Sequence, residues 1–66
     1  MQIKLNGDTL ELDEGASLAD LVEQLGLAEK RIAIELNMEI IPRSEHPATV
    51  LSQNDNVEIV HAIGGG

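Results

Sequence analysis

The sequence predicts an α+β fold in which one helix packs across one face of a mixed sheet. Three observations carry that expectation. The chain opens on two short alternating runs joined by Asn6-Gly7. It then switches to helical spacing between Leu18 and Leu25. Alternation returns in Ile32–Leu36 and again in Val57–Ile63. Side chains that repeat every second residue mark a half-buried strand, and those that repeat near 3.6 mark an amphipathic helix.

In MQIKLNGDTLELDEG, Ile3 and Leu5 share one face and Leu10 and Leu12 another. Asn6-Gly7 is the strongest short-range hairpin signal, because both residues tolerate the positive φ that a two-residue turn needs. In SLADLVEQLGL, Leu18, Leu21, Val22 and Leu25 fall at i, i+3, i+4 and i+7 and form one stripe. Ser17 is the expected N-cap. Asp20 takes the capping-box position, where Glu or Gln is commoner, and Ala16 with Leu21 forms a weak hydrophobic staple. Gly26 is placed to end the helix in a left-handed conformation. A helix of this length is marginal alone and needs a sheet to lie on.

RIAIELN alternates again, with Ile32, Ile34 and Leu36 on one face and Asn37 suited to the turn that follows. EIIP reads as a short strand that Pro42 ends or confines to an edge. RSEHPATVLSQNDN reads as irregular, anchored by Val50 and Leu51. VEIVHAI reads as a strand with Val57, Ile59, His61 and Ile63 on one parity. A helix that follows a hairpin must return to the sheet, and the right-handed crossover rule leaves few topologies. The favoured one sets the first and last strands parallel and adjacent in the middle, which is the ubiquitin-like β-grasp. The expected division is a β-grasp domain over residues 1–63 and a glycine tail over 64–66.

The chain has 66 residues, no cysteine and no aromatic residue. The core is therefore aliphatic, drawn from Ile, Leu, Val and Ala with Met38 as a further candidate. A core of that size nets at most about 3–5 kcal/mol. No disulfide or thiolate metal site can brace it, and cysteine absence fits a reducing, cytoplasmic setting. The start lacks the charged and apolar blocks of a signal peptide, and no apolar run approaches a membrane span. Twelve acids against four bases give a net charge of −8. That disfavours nucleic acid or an anionic membrane as an unaided partner and favours a basic protein surface, although the same charge also serves solubility.

Candidates for catalysis are few. Ser17, Ser44, Ser52, Thr9 and Thr49 have no visible base beside them. His46 reads as a solvated loop histidine and His61 as a strand histidine near the end of the sheet. No metal set is expected from them. The closing Gly64-Gly65-Gly66 is not a phosphate loop, since no helix N-terminus follows to aim its amides. On the sheet face away from the helix, the last strand would present Glu58, Val60 and Ala62, and the first Gln2 and Lys4. Val60 and Ala62 are candidate partner contacts, against the plainer reading of a scattered exposed valine. Arg43 either meets an acid on a partner or pairs with one of the domain's own carboxylates.

AIELNMEIIPRSEH and NDNVEIVHAIGGG, with the opening MQIKLNG, resemble the ThiS/MoaD ubiquitin-like family of sulfur carriers, and the thiamine branch in particular. The resemblance covers nearly the whole chain, including Asn37, Pro42 and Arg43. The family's essential glycine pair maps onto Gly65 and Gly66, and Gly64 is an additional glycine. The resemblance implies that the protein is a co-substrate and not an enzyme. The Gly66 carboxylate would be adenylated by a ubiquitin-activating-type adenylyltransferase that uses ATP, with no cofactor bound by the carrier itself. A donor such as a cysteine desulfurase or a rhodanese-type protein would convert it to a thiocarboxylate, which thiazole synthase would use.

Glycines suit such a task. A tail without Cβ atoms can thread narrow channels and adopt φ values that other residues refuse. Ordering it costs about 1–2 kcal/mol per residue, which docking of the folded body must offset. Other readings stay open at this level. They are carriage for molybdopterin or tRNA thiolation, a ubiquitin-like protein modifier, and a plain interaction domain.

Overall fold

The computed structural model of the chain describes residues 1–62. The elements are β1 (Gln2–Leu5), β2 (Asp8–Glu11), α1 (Leu18–Gln24), β3 (Ile32–Leu36), β4 (Glu39–Ile41), a 3₁₀ helix (Arg43–Ala48) and β5 (Asn56–His61). The five strands form one sheet in the order β2-β1-β5-β3-β4. β1 and β5 run parallel, and the other neighbours run antiparallel. This is the mixed sheet and single α-helix of the β-grasp, with the last strand in the middle as expected. The expected boundary between body and tail, and the place of Ile63 on the β5 parity, lie outside the described residues.

Two hairpin turns set the sheet. Asn6 and Gly7, at φ 49° and 89°, join Leu5 to its partner Asp8. Asn37 and Met38, at φ 51° and 72°, join Leu36 to Glu39. Positive φ at both central residues gives a turn whose twist matches that of the flanking strands. Met38 is 88 % exposed, so it is not a core residue. A turn position has no neighbours to bury it, and the local sequence favours the turn through Asn37 alone.

The helix ends are built as the sequence indicates. The Ser17 side chain accepts from Asp20 N–H (3.1 Å), and Asp20 Oδ2 accepts from Ser17 N–H (2.9 Å). At the other end Gly26, at φ 74°, donates to the Glu23 carbonyl, and Leu27 N–H donates to that of Val22. These are the two bonds of a Schellman motif. The helix buries Leu18, Leu21 and Val22 against Ile3, Ile34, Val57 and Ile59 of the sheet, and Leu12 and Leu51 complete the cluster. On β5 the parity is clean. Val57 and Ile59 are buried, while Glu58 and Val60 are exposed.

The segment after β4 departs from the irregular path expected. Glu45 N–H donates to the Pro42 carbonyl (2.9 Å) and starts the 3₁₀ helix, which packs on α1. His46 is buried there, not solvated, and its Nε2 donates to the Ile41 carbonyl at 3.0 Å. Val50 is 59 % exposed and is not an anchor. Val50 bridges Ser17, and Leu51 N–H donates to Ala16 O, so this stretch is locally extended. Neighbours in an extended chain point to opposite sides, and Leu51 takes the core side. The 3₁₀ helix escaped the sequence reading because six residues containing Pro47 carry no helical period.

Met38 sits where glycine is preferred, in a turn that leaves its side chain largely exposed. Met38→Gly is expected to raise stability by about 1 kcal/mol by removing the left-handed penalty of a side chain there. Urea denaturation of the two proteins checks this.

Candidate functional site

The sequence places its candidate site at the end of β5 and on the open sheet face. That strand is held unusually well. β3 pairs with it over five positions, from Leu36 opposite Val57 to Ile32 opposite His61. On the other edge β1 pairs Lys4 with Asn56 and Leu5 with Val57, and then turns away. Asn6 continues the edge from inside the turn. Its N–H donates to the Val57 carbonyl at 2.9 Å. Its side-chain Oδ1 accepts from Ile59 N–H at 2.9 Å, and its Nδ2 donates to the Ile59 carbonyl at 3.2 Å. The carboxamide thus stands in for the peptide group that a longer β1 would have supplied. Sequence reasoning used Asn6 only as a turn former. The role in β5 depends on a contact across 53 residues, which no local pattern carries.

The open face contains the predicted residues. Glu58, Val60, Ala62, Gln2 and Lys4 are all exposed, Val60 to 59 %. The register adds neighbours from β3 and β4. Ala33 lies opposite Val60, and Glu35 lies between Glu58 on one side and Ile40 on the other. Val60 and Ala33 thus form an apolar pair beside a row of Glu58, Glu35 and Ile40, in which two carboxylates face each other across the strands. Like charges in that relation repel. Ala62, just past the strand, still donates to the Arg31 carbonyl at 2.9 Å, so the chain is held to the last residue described.

Arg43 is not part of this face, and among the described residues it pairs with no carboxylate. Its Nη2 donates to the Ala28 and Lys30 carbonyls, both at 2.9 Å, and so ties the 3₁₀ helix to the loop between α1 and β3. Carbonyl acceptors on a loop leave no trace in a reading of charge, which is why a carboxylate was expected. His61 is exposed and lines a groove with Leu5, Asn6, Leu25, Leu27 and Ile59. His46 is separated from it, under the 3₁₀ helix. Among the described residues no three His, Asp or Glu side chains converge to hold a metal ion, and no helix is long and apolar enough to cross a membrane. Gly64, Gly65 and Gly66 lie outside the described residues.

The profile of the ThiS family matches residues 3–66, nearly the whole chain. The chain belongs to the ThiS family. The crystal structure of a thiamine biosynthesis protein (ThiS) from Geobacter metallireducens superposes with a TM-score of 0.85 at 30 % identity over the full length of both chains. The sulfur carrier protein ThiS of Bacillus subtilis is 34 % identical over 97 % of this chain and 98 % of its own. A thiazole synthase of Magnetococcus marinus is 39 % identical over all of this chain, which spans only 20 % of that protein's length. A second thiazole synthase, from Paramagnetospirillum magneticum, is matched over the same 20 % share. ThiS-family membership agrees with the sheet order and with the sequence features that suggested it, and the matched range includes the terminal glycines.

The Asn6 carboxamide satisfies both peptide groups of Ile59 in a partly buried position. Asn6→Gly keeps the positive φ and removes those bonds. It is expected to cost about 1–3 kcal/mol, the penalty of stranded peptide groups, and to speed amide exchange at Ile59 selectively. Denaturation and residue-resolved hydrogen exchange measure the two effects.

Proposed function

We propose that the chain is a sulfur carrier whose Gly66 carboxylate is adenylated, converted to a thiocarboxylate and used to supply the sulfur of the thiazole of thiamine. The observation that carries this reading is the position of β5. The strand that leads to the glycines is central in the sheet and bonded on both edges, so the chain enters its last residues from a firmly held strand. Membership of the ThiS family and the named function of the Bacillus relative support the same reading.

The chemistry falls to partner enzymes. A carboxylate is a poor acyl donor because oxide is a poor leaving group. Attack of the Gly66 carboxylate on the α-phosphorus of ATP expels pyrophosphate and leaves an acyl-adenylate. The outer sulfur of a persulfide on the donor then adds at the acyl carbon and AMP departs, leaving an acyl disulfide. A second thiol attacks the donor's sulfur, forms a disulfide with it and releases the thiocarboxylate. The partners of this scheme are a ubiquitin-activating-type adenylyltransferase, a sulfur donor such as a cysteine desulfurase or a rhodanese-type protein, and thiazole synthase. The much longer thiazole synthases that contain a stretch matching this whole chain support the last of these. The open face with Val60 and Ala62 is the proposed docking surface. A basic side chain of the partner set between Glu35 and Glu58 would relieve their repulsion. Residues Gly64 and Gly65 thread the enzyme channel.

The test is mass spectrometry of the C-terminal peptide after incubation with ATP, a sulfur source and the cognate activating enzyme. Replacement of one oxygen by sulfur is expected in the tail. Oxidation of Met1 or Met38 adds nearly the same mass, so the shift must map to the last residues. Deletion of Gly64–Gly66 is expected to abolish the modification. Gly65→Val is expected to leave the fold intact and block activation. An unmodified tail, or a fully active Gly65→Val protein, overturns the proposal. Isopeptide-linked species in place of a thiocarboxylate would make the chain a protein modifier.

A further inference from the structure

Ladder bonds along a strand point alternately to its two neighbours. The even-numbered residues of β5 face β3: Asn37 N–H donates to the Asn56 carbonyl at 2.8 Å, and Ala62 N–H donates to Arg31 at 2.9 Å. The odd-numbered residues face β1. Val57 is met there by the backbone of Asn6, and Ile59 by the Asn6 side chain. His61 is the next in that series. By then β1 has turned into Asn6-Gly7, and no described residue meets the His61 peptide groups on that edge. The gap lies beside the groove of Leu5, Leu25, Leu27 and Ile59. Among the described residues the central strand of the sheet thus has a notch in one edge at His61, next to an apolar wall.

We propose that this notch is a strand-addition site. It is filled by a short extended segment of the activating enzyme, which pairs its backbone with His61 and places an apolar side chain in the groove. The inference rests on the carrier reading above. Backbone N–H and C=O groups beside an apolar wall are best satisfied by another extended backbone, and pockets for alternate side chains accompany that mode of recognition. The Asn6 carboxamide already fills the preceding rung as a peptide surrogate, so the register of an added strand is set. The occupant follows from reach. Five extended residues span at most about 17 Å, so whatever occupies the notch lies close to the reacting Gly66 carbonyl. The activating enzyme must hold that carbonyl against ATP, so a segment of it comes within reach of the notch. The net charge of −8 favours basic residues flanking it.

Amide exchange of the isotope-labelled full chain, free and saturated with the activating enzyme, tests this. In the free chain Val60 and Ala62 are expected to be protected and His61 to exchange openly. In the complex His61 exchange is expected to slow at least tenfold. His61→Pro removes only an N–H that β3 does not use and places its ring in the notch. It is expected to fold and to bind the enzyme at least tenfold more weakly, whereas His61→Ala binds as the unaltered chain does. Unchanged His61 exchange in a saturated complex overturns the inference and leaves the carrier reading standing. So does equal loss of binding in the Pro and Ala variants. Protection of His61 that grows with protein concentration alone assigns the notch to a second copy and overturns it too. Absence of any complex refutes the carrier reading, and this inference with it.

Discussion

The pairing of β5 along both edges is the constraint on which the rest of the molecule depends. A strand in the middle of a sheet is registered by two neighbours, and a slip of one residue would turn its buried set outward. β3 fixes one edge over the full length of β5. β1 fixes the other only at its start, and Asn6 extends that hold to Ile59. Val57 and Ile59 can then face α1 while Glu58 and Val60 face outward. With β5 so held, whatever follows Ala62 starts from a defined point and direction.

The core that supports this arrangement is small and wholly aliphatic. Ile3, Ile34, Val57 and Ile59 meet Leu18, Leu21 and Val22 without an aromatic side chain or a disulfide. Small domains of this kind depend on local devices in addition to burial. Here those are the reciprocal Ser17–Asp20 cap, the Schellman end at Gly26 and two turns with left-handed residues. Arg43 adds a polar clasp between the 3₁₀ helix and the loop before β3. His46 ties the same 3₁₀ helix to the end of β4 through the Ile41 carbonyl.

The open face shows a different balance. Glu35 and Glu58 stand opposite each other, and Ile40 and Val60 remain exposed beside them. Neither feature favours the isolated domain. Apolar side chains ringed by charge suit a surface that is covered part of the time. Under the carrier function proposed above, that partial cost in the free state would keep docking to a partner reversible.

Much of this was legible along the chain because it is local. Asn6-Gly7 specified the first hairpin, the Leu18–Leu25 spacing with Ser17 and Gly26 specified the helix, and alternation specified β3 and β5. Other features depended on which segments come together in space. Met38 and Val50 are apolar residues that the turn and the extended bridge leave outside. His46 is a polar residue that the 3₁₀ helix carries inside. Arg43 bonds carbonyls 13 and 15 residues away. Asn6 completes a strand 53 residues away, and that contact ends where the notch at His61 begins. Periodicity and turn chemistry act over a few residues and so survive in the order of the amino acids. Hydrogen bonds between distant peptide groups exist only once the sheet has closed.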